Sequence, residues 1–197
     1  MGFLAPRDRE TSPCARAVLI RFAASMSGIF RRYLAAYADF YRDQRNCILH
    51  IMGTPLLFLA AALPFSLVSV TAVGLRTSAA ALLVIPALVF WMVLDLAIGV
   101  GIVCAVIPLL ITAAIITKHV GVAWIWAMTV TLFVVGWALQ IVGHSCCEKR
   151  RPALLDNPIH MLMSPMFIVA KLFVALGFRR DLAALISEWP RRKSPLR

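Results

Sequence analysis

From Ala79 to Thr117 the chain runs for about 39 residues with a single charged side chain, Asp95. One membrane crossing takes about 20 apolar residues rising 1.5 Å each, so this stretch is about twice as long as one crossing needs. It has to fold back on itself. The reversal is expected near Ala97 to Gly101, where Gly99 and Gly101 permit a sharp turn. The whole chain agrees with a lipid environment: 61% of its 197 residues are hydrophobic and 15% charged, against about half and about a quarter in soluble domains.

Further spans flank this hairpin. Leu56 to Leu75 carries no charge and contains Pro64 as a kink; Thr77 and Ser78 mark a turn; Val122 to Val142 follows the loop Lys118-His119-Val120-Gly121. The expectation is an all-α fold, an integral membrane bundle of four transmembrane helices. Ahead of it, Ile29, Phe30, Tyr33, Leu34, Tyr37, Phe40 and Tyr41 recur at helical spacing and predict an N-terminal amphipathic helix, lying on the membrane or on the bundle. After it, Met161 to Phe178 is apolar but interrupted by Pro165 and Lys171, which suits a C-terminal interfacial or re-entrant helix better than a fifth span. Residues 1–25 read as a disordered N-terminal extension, with Met26 as an alternative start, residues 26–180 as one membrane-embedded catalytic-type domain, and residues 181–197 as a basic tail.

The net charge of +11 sits mainly at the two ends. Arg31, Arg32, Arg42 and Arg45 precede the apolar block and Lys149, Arg150 and Arg151 follow it, whereas the two opposite loops carry only Arg76 and Lys118. The positive-inside bias then places both termini in the cytoplasm, at the inner membrane of a bacterium or the endoplasmic reticulum of a eukaryote. Basic charge in this pattern faces anionic lipid; with no basic–aromatic groove pattern, no nucleic-acid partner is expected. Five cysteines, an odd number without a secreted framework, argue against structural disulfides.

An even number of crossings has a chemical consequence. It brings His50, at the start of the first span, and His144, at the end of the fourth, to one membrane face. Neutral imidazole is a common ligand of iron, zinc and copper. Gln140, His144 and Glu148 are spaced i, i+4, i+8 and share a face if the helix continues past Gly143. Glu148 then serves as a carboxylate ligand, as a partner that orients His144, or as a surface ion pair with Lys149, Arg150 or Arg151. His160 is a further imidazole, or a polar interface residue. Cys47 with His50 and His144 with Cys147, each i, i+3, allow a rival Cys₂His₂ zinc site, although the usual C-x₂-C pairs are missing. Asp95 is an intramembrane carboxylate and so a functional candidate, unless it is solvated or caps Gly99 at the turn.

Taken together, the motifs resemble the 2-hydroxy fatty acid dioxygenase family, one of whose members acts in phytosphingosine breakdown. The similarity spans about residues 30 to 178. It is carried by Tyr33-Leu34-Ala35-Ala36-Tyr37, by Asn46 with His50, Gly53 and Pro55, by Gln140 and Gly143-His144, by Glu148-Lys149-Arg150-Arg151-Pro152-Ala153-Leu154 with Asp156-Asn157, and by Pro165 with Phe167. The resemblance implies an Fe²⁺-dependent membrane enzyme that uses O₂ to remove one carbon from a 2-hydroxy fatty acid, with iron held by histidines. His50 and His144 occupy ligand positions; Glu148 and His160 are the other candidates for the metal. Lys149, Arg150, Arg151, Asn46 and Gln140 are candidates for the substrate. Two positions depart from the family pattern: Tyr41 stands where relatives usually have a histidine, and Lys171 where they often have glutamate. Tyr41, Glu148 or His160 would then complete the metal site. The other reading is a lapsed homologue that binds or scaffolds lipid; a small transporter would need more intramembrane polar residues than Asp95.

Overall fold

The computed structural model describes residues 28–38, 41, 43–72, 74–148, 159–179, 181–183 and 185–186. The expected extension over 1–25 and most of the basic tail lie outside them, as do Lys149, Arg150 and Arg151 and the side chains of Glu148 and His160. In chain order the elements are α1 (residues 28–38), α2 (Gln44–Ser66), β1 (Ser69–Ala72), β2 (Leu75–Ser78), α3 (Ala79–Leu94), α4 (Leu96–His119), α5 (Val122–Val142), a π-helical turn (Gly143–Glu148) and α6 (Ile159–Ala175). Among the described residues three helices are long and apolar enough to cross a membrane: α2, α4, and α5 continued to Cys147. The apolar α3 and α6 are shorter. Trp124, Trp126 and Phe133 on α5 remain exposed. Side chains of this kind belong in lipid, and the architecture is that of a membrane protein.

The first span differs from the expectation. It begins at Gln44, not Leu56, and ends at Ser66. The Asp43 carboxylate accepts the Arg45 N–H at 2.7 Å and caps the helix. Hydropathy alone misses this first part because Asn46 and His50 are polar, yet both are buried. Residues 69–78, expected to divide between the span's end and a turn, instead form an antiparallel hairpin with Ser69 opposite Ser78 and Ala72 opposite Leu75. The described residues are therefore helical with one small β-hairpin, not strictly all-α. Val70, Thr71 and Thr77 are β-branched and suit extended backbone, and Gly74, at φ 75°, supplies the left-handed residue of the tight turn.

The long apolar stretch does break, but at Asp95 and not at the glycines. Asp95 is extended (φ −154°, ψ 112°) and serves as the last cap of α3 and the first of α4. Its Oδ1 accepts the Ile98 N–H at 3.1 Å. Gly99 contributes close approach: a Cβ there would lie 2.6 Å from Met92 Cα across the hairpin. At Gly101 a Cβ would lie 2.7 Å from Val169 on α6.

α6 is anchored to this turn. Phe178 N–H bonds Phe173 O and Gly177 N–H bonds Val174 O, with Gly177 at φ 80° and the Phe173 and Phe178 rings 6.2 Å apart. This is a Schellman end with its apolar contact. It delivers Arg179 to Asp95, where Nη1 donates to both carboxylate oxygens at 2.9 and 3.0 Å. Arg179 also holds Asp181, and Arg31 on α1 donates to Asp181 at 2.8 Å. Asp95 is thus a cap and an ion-pair partner. The expected amphipathic helix α1 packs on the protein through Phe30, Leu34, Tyr37 and Ala38, all in one core with Trp91, Ile98, Met166 and Leu182.

Candidate functional site

Two helices run antiparallel and bring distant residues together. α2 and α5 meet at glycines: a Cβ on Gly53 would lie 3.0 Å from Gly136 O, and one on Gly136 would lie 2.9 Å from Leu57 Cγ. Small residues let backbones approach closely where lipid supplies no hydrophobic drive. Two turns further along, a Cβ on Gly143 would collide with Asn46 Oδ1. These contacts seat the end of α5 against the start of α2. The helix then widens into its π-helical turn, a local form often found at functional sites, and His144 lies within it.

His50 and His144 become neighbours, 3% and 2% exposed, with ring centroids 4.9 Å apart and planes at 81°. His50 Nδ1 lies 3.2 Å from the Asn46 carbonyl oxygen, one helical turn back. A carbonyl only accepts, so Nδ1 carries the proton and Nε2 keeps its lone pair. This is how ligand histidines are commonly oriented. Two imidazoles bound as neighbours to one ion at about 2 Å have centroids about 4.5–5 Å apart, and the observed spacing fits that.

Tyr41 forms the third corner. Its ring lies 4.7 Å from His50 and 5.2 Å from His144, edge-on to both. Its hydroxyl is 2.7 Å from that of Tyr37, and the two phenol rings stack at 4.7 Å. Phe167 of α6 packs against both tyrosines. Burial pushes the Tyr37 hydroxyl up to about 12, because the phenolate would lose its hydration there. Among the described residues no three His, Cys, Asp or Glu side chains gather closely enough to hold a metal. Cys47, His50, His144 and Cys147 are all among them, so the Cys₂His₂ zinc site does not form. Cys47 instead sits 2.7 Å from Lys171 Nζ, which also lies over the Phe167 ring.

A cavity of about 320 Å³ opens beside the pair. Tyr37, Tyr41, His50, Gln140, His144 and Ser164 form its polar end, and Leu57, Phe58, Ala61 and Trp91 its apolar end. Gln140 lines this cavity together with the two histidines. Asn46, fully buried against Gly143, holds the helices and His50 in place and does not line the cavity. Glu148 and His160 belong to the π-turn and to the first turn of α6, but their side chains are outside the described residues, as are Lys149, Arg150 and Arg151. Tyr37, Ser164 and Trp91 are site residues that the sequence reading did not single out. Tyr37 was legible as the residue one turn before Tyr41, whereas Ser164 and Trp91 depend on how α6 and α3 pack.

Residues 28–176 match the family model described as Mpo1-like, 2-hydroxy-palmitic acid dioxygenase Mpo1-like. The chain belongs to the Mpo1-like family. The 2-hydroxy-palmitic acid dioxygenase MPO1 of Saccharomyces cerevisiae is 29% identical over 157 residues, covering 79% of this chain and 86% of the yeast protein. No solved structure matches. The family match covers every element from α1 to α6, so the Mpo1-like assignment includes both histidines, the π-turn and the cavity.

Proposed function

We propose that this Mpo1-like protein is an Fe(II)-dependent dioxygenase that shortens 2-hydroxy fatty acids by one carbon. The observation that carries this reading is the pair of buried imidazoles, 4.9 Å apart, at the polar end of an apolar-walled cavity. His50 and His144 would hold the iron, with Glu148, His160 or Tyr41 completing the site. Bound iron would supply the means of activating O₂. The balance needs no other reductant: the 2-hydroxy acid plus O₂ gives the acid one carbon shorter, CO₂ and water. Asn46 O fixes the His50 tautomer, the apolar wall excludes water, and Gln140 and Ser164 are placed to donate hydrogen bonds to a carboxylate or hydroxyl in the cavity. Lys149, Arg150 and Arg151 would attract the acid electrostatically.

The same reading takes α2, α3, α4 and α5 as four spans. Sixteen residues of α3 rise about 24 Å, enough with hairpin and cap residues at its ends for a crossing. Both termini and the histidine pair are then cytoplasmic, where a fatty acid keeps its chain in lipid and presents its head to the metal. A second reading, a lapsed homologue that binds lipid, draws on Tyr41, which fills the third corner of the ring triangle with a phenol. Anaerobic purification, iron analysis and incubation with 2-hydroxypalmitate and O₂ separate the two. The enzyme yields bound iron and an acid one carbon shorter. Lipid binding without iron or product would establish the lapsed form.

A further inference from the structure

We propose that the passage leading from the histidine pair between α2 and α3 is the alkyl-chain channel, and that Ala61 and Ala87 set the longest chain it admits. This rests on the 2-hydroxy acid reading above and adds the residues that measure its substrate. A second cavity of about 210 Å³ adjoins the site cavity, with Phe58, Ala61 and Trp91 lining both. The second cavity is lined by apolar residues alone, among them Phe65, Leu83, Val84 and Ala87. Its one residue with a polar atom, Trp91, has that atom satisfied, because Nε1 donates to Leu162 O at 2.7 Å. Polar side chains therefore gather at one end, around His50, His144, Tyr41 and Gln140, and the other end is mainly apolar.

That gradient matches a ligand with one polar end and a long alkyl chain. From His50 to Phe65 the passage follows α2 for about 22 Å at 1.5 Å per residue. A lipid chain occupying half of a hydrocarbon core about 30 Å thick extends about 15 Å, so a chain of membrane-lipid length fits. The bore is set where the wall is alanine. Ala61 on α2 lines both cavities, and Ala87 lies one turn before Trp91 on α3, next to the junction. Trp91, pinned by its hydrogen bond and 5% exposed, forms a fixed wall. A smaller apolar cavity of about 100 Å³ also leaves the junction, toward Ile102 and Val106 on α4. The passage along α3 is the larger and the one that alanines keep open.

The test measures binding and needs no turnover. Full-length protein in detergent is titrated with 2-hydroxy acids of about 8 to 18 carbons, competing with a chain-brominated 2-hydroxy acid that quenches tryptophan fluorescence. The ratio of variant to wild-type affinity at each length cancels partition into detergent. Each methylene removed from an apolar wall costs about fourfold in affinity. Ala61→Phe and Ala87→Phe should each weaken binding of the acid of about 16 carbons at least about tenfold, while leaving the acid of about 8 carbons within about twofold. Retained binding of the short acid reports an intact site, and placing the two variants on different helices keeps the test alive if one misfolds. Uniform weakening at all lengths, no change at any length, or a phospholipid in the passage that the acid does not displace would each overturn the channel. Wild-type turnover without a length-dependent loss in the variants removes the channel and leaves the reaction standing. Length-dependent binding without a shortened product does the reverse.

Discussion

α2 has two unlike neighbours. Against α5 it is closed by Gly53, Gly136 and Gly143, positions where a Cβ would meet backbone or a packed side chain at 3.0 Å or less. Against α3 it is held open, with Ala61, Ala62, Ala80 and Ala87 lining a cavity of about 210 Å³. One helix thus has a fixed side and an accommodating side. The fixed side carries the imidazoles, whose spacing has to hold to within a fraction of an ångström for two ligands to serve one ion. The accommodating side carries the walls, where complementarity to a flexible chain tolerates more variation.

The largest expected effects come from removing the chemistry that the fixed side positions. His50→Ala or His144→Ala should abolish stoichiometric iron and lower turnover by at least about a thousandfold, on the scale of a lost activating group. Cys47→Ala, whose thiol faces Lys171, should keep its iron. Metal analysis beside single-turnover assays reads both. Iron retained in both histidine variants would remove the ligand assignment altogether.

Gly136→Val tests the fixed side itself. The new side chain would meet Leu57 and Gly53 O, and helix separation should cost about 1–3 kcal/mol of stability as overpacking. A displacement of about 1 Å at the histidines would lower turnover about a hundredfold. Ala62→Val on the open side should change either quantity far less. Thermal unfolding and activity of the two variants, compared directly, check the contrast; equal effects would mean that the two faces of α2 do not differ in rigidity.

Parts of this contrast are legible in the sequence and parts are not. α5 starts and stops where the hydropathy does, because nearly all of it faces lipid and composition alone defines it. α2 is misplaced for the opposite reason: Asn46, His50 and Gly53 face protein, so the polar half of the span looks like a loop. Gly99 was read as a turn, but its missing side chain serves packing against Met92, and the turn falls to Asp95, whose carboxylate caps the next helix. The hairpin was absorbed into a span because Val70, Thr71 and Ala72 are as compatible with one as with a strand. His50 and His144 could be paired by counting crossings, whereas the cavity beside them could not be read, since its walls come from α1, α2, α3, α5 and α6 at once.

Tyr37 offers a smaller effect at the border between the two sides. Its raised pKa means that the folded protein holds the phenol neutral while the unfolded chain ionises near 10. The stability this gives is complete below pH 10 and is lost as the pH rises through about 12. The melting temperature of the wild type should therefore fall more steeply between pH 10 and 12 than that of Tyr37→Phe. Parallel slopes would place Tyr37 in contact with water and weaken the picture of a dry polar end to the cavity.

The smallest effect belongs to the surface network that ties α1 to the end of α6. Arg179, and after it Arg31, hold the Asp181 carboxylate below its ordinary range. A depressed carboxylate contributes stability above about pH 4 and loses it as the pH falls through the folded value. Asp181 is 42% exposed, so solvent and salt screen most of this, and Asp181→Asn should cost no more than about 0.5 kcal/mol near neutral pH. Asp95 is different: 10% exposed and paired with Arg179 through both oxygens, it also caps α4. Asp95→Ala should therefore destabilise by more than Asp181→Asn, and high salt should erase the second effect but not the first. Thermal unfolding of the two variants with and without about 1 M salt, where the Debye length is about 3 Å, decides it. Equal salt sensitivity would show that the α3–α4 turn is held by screened surface charge and not by a cap with a desolvated partner.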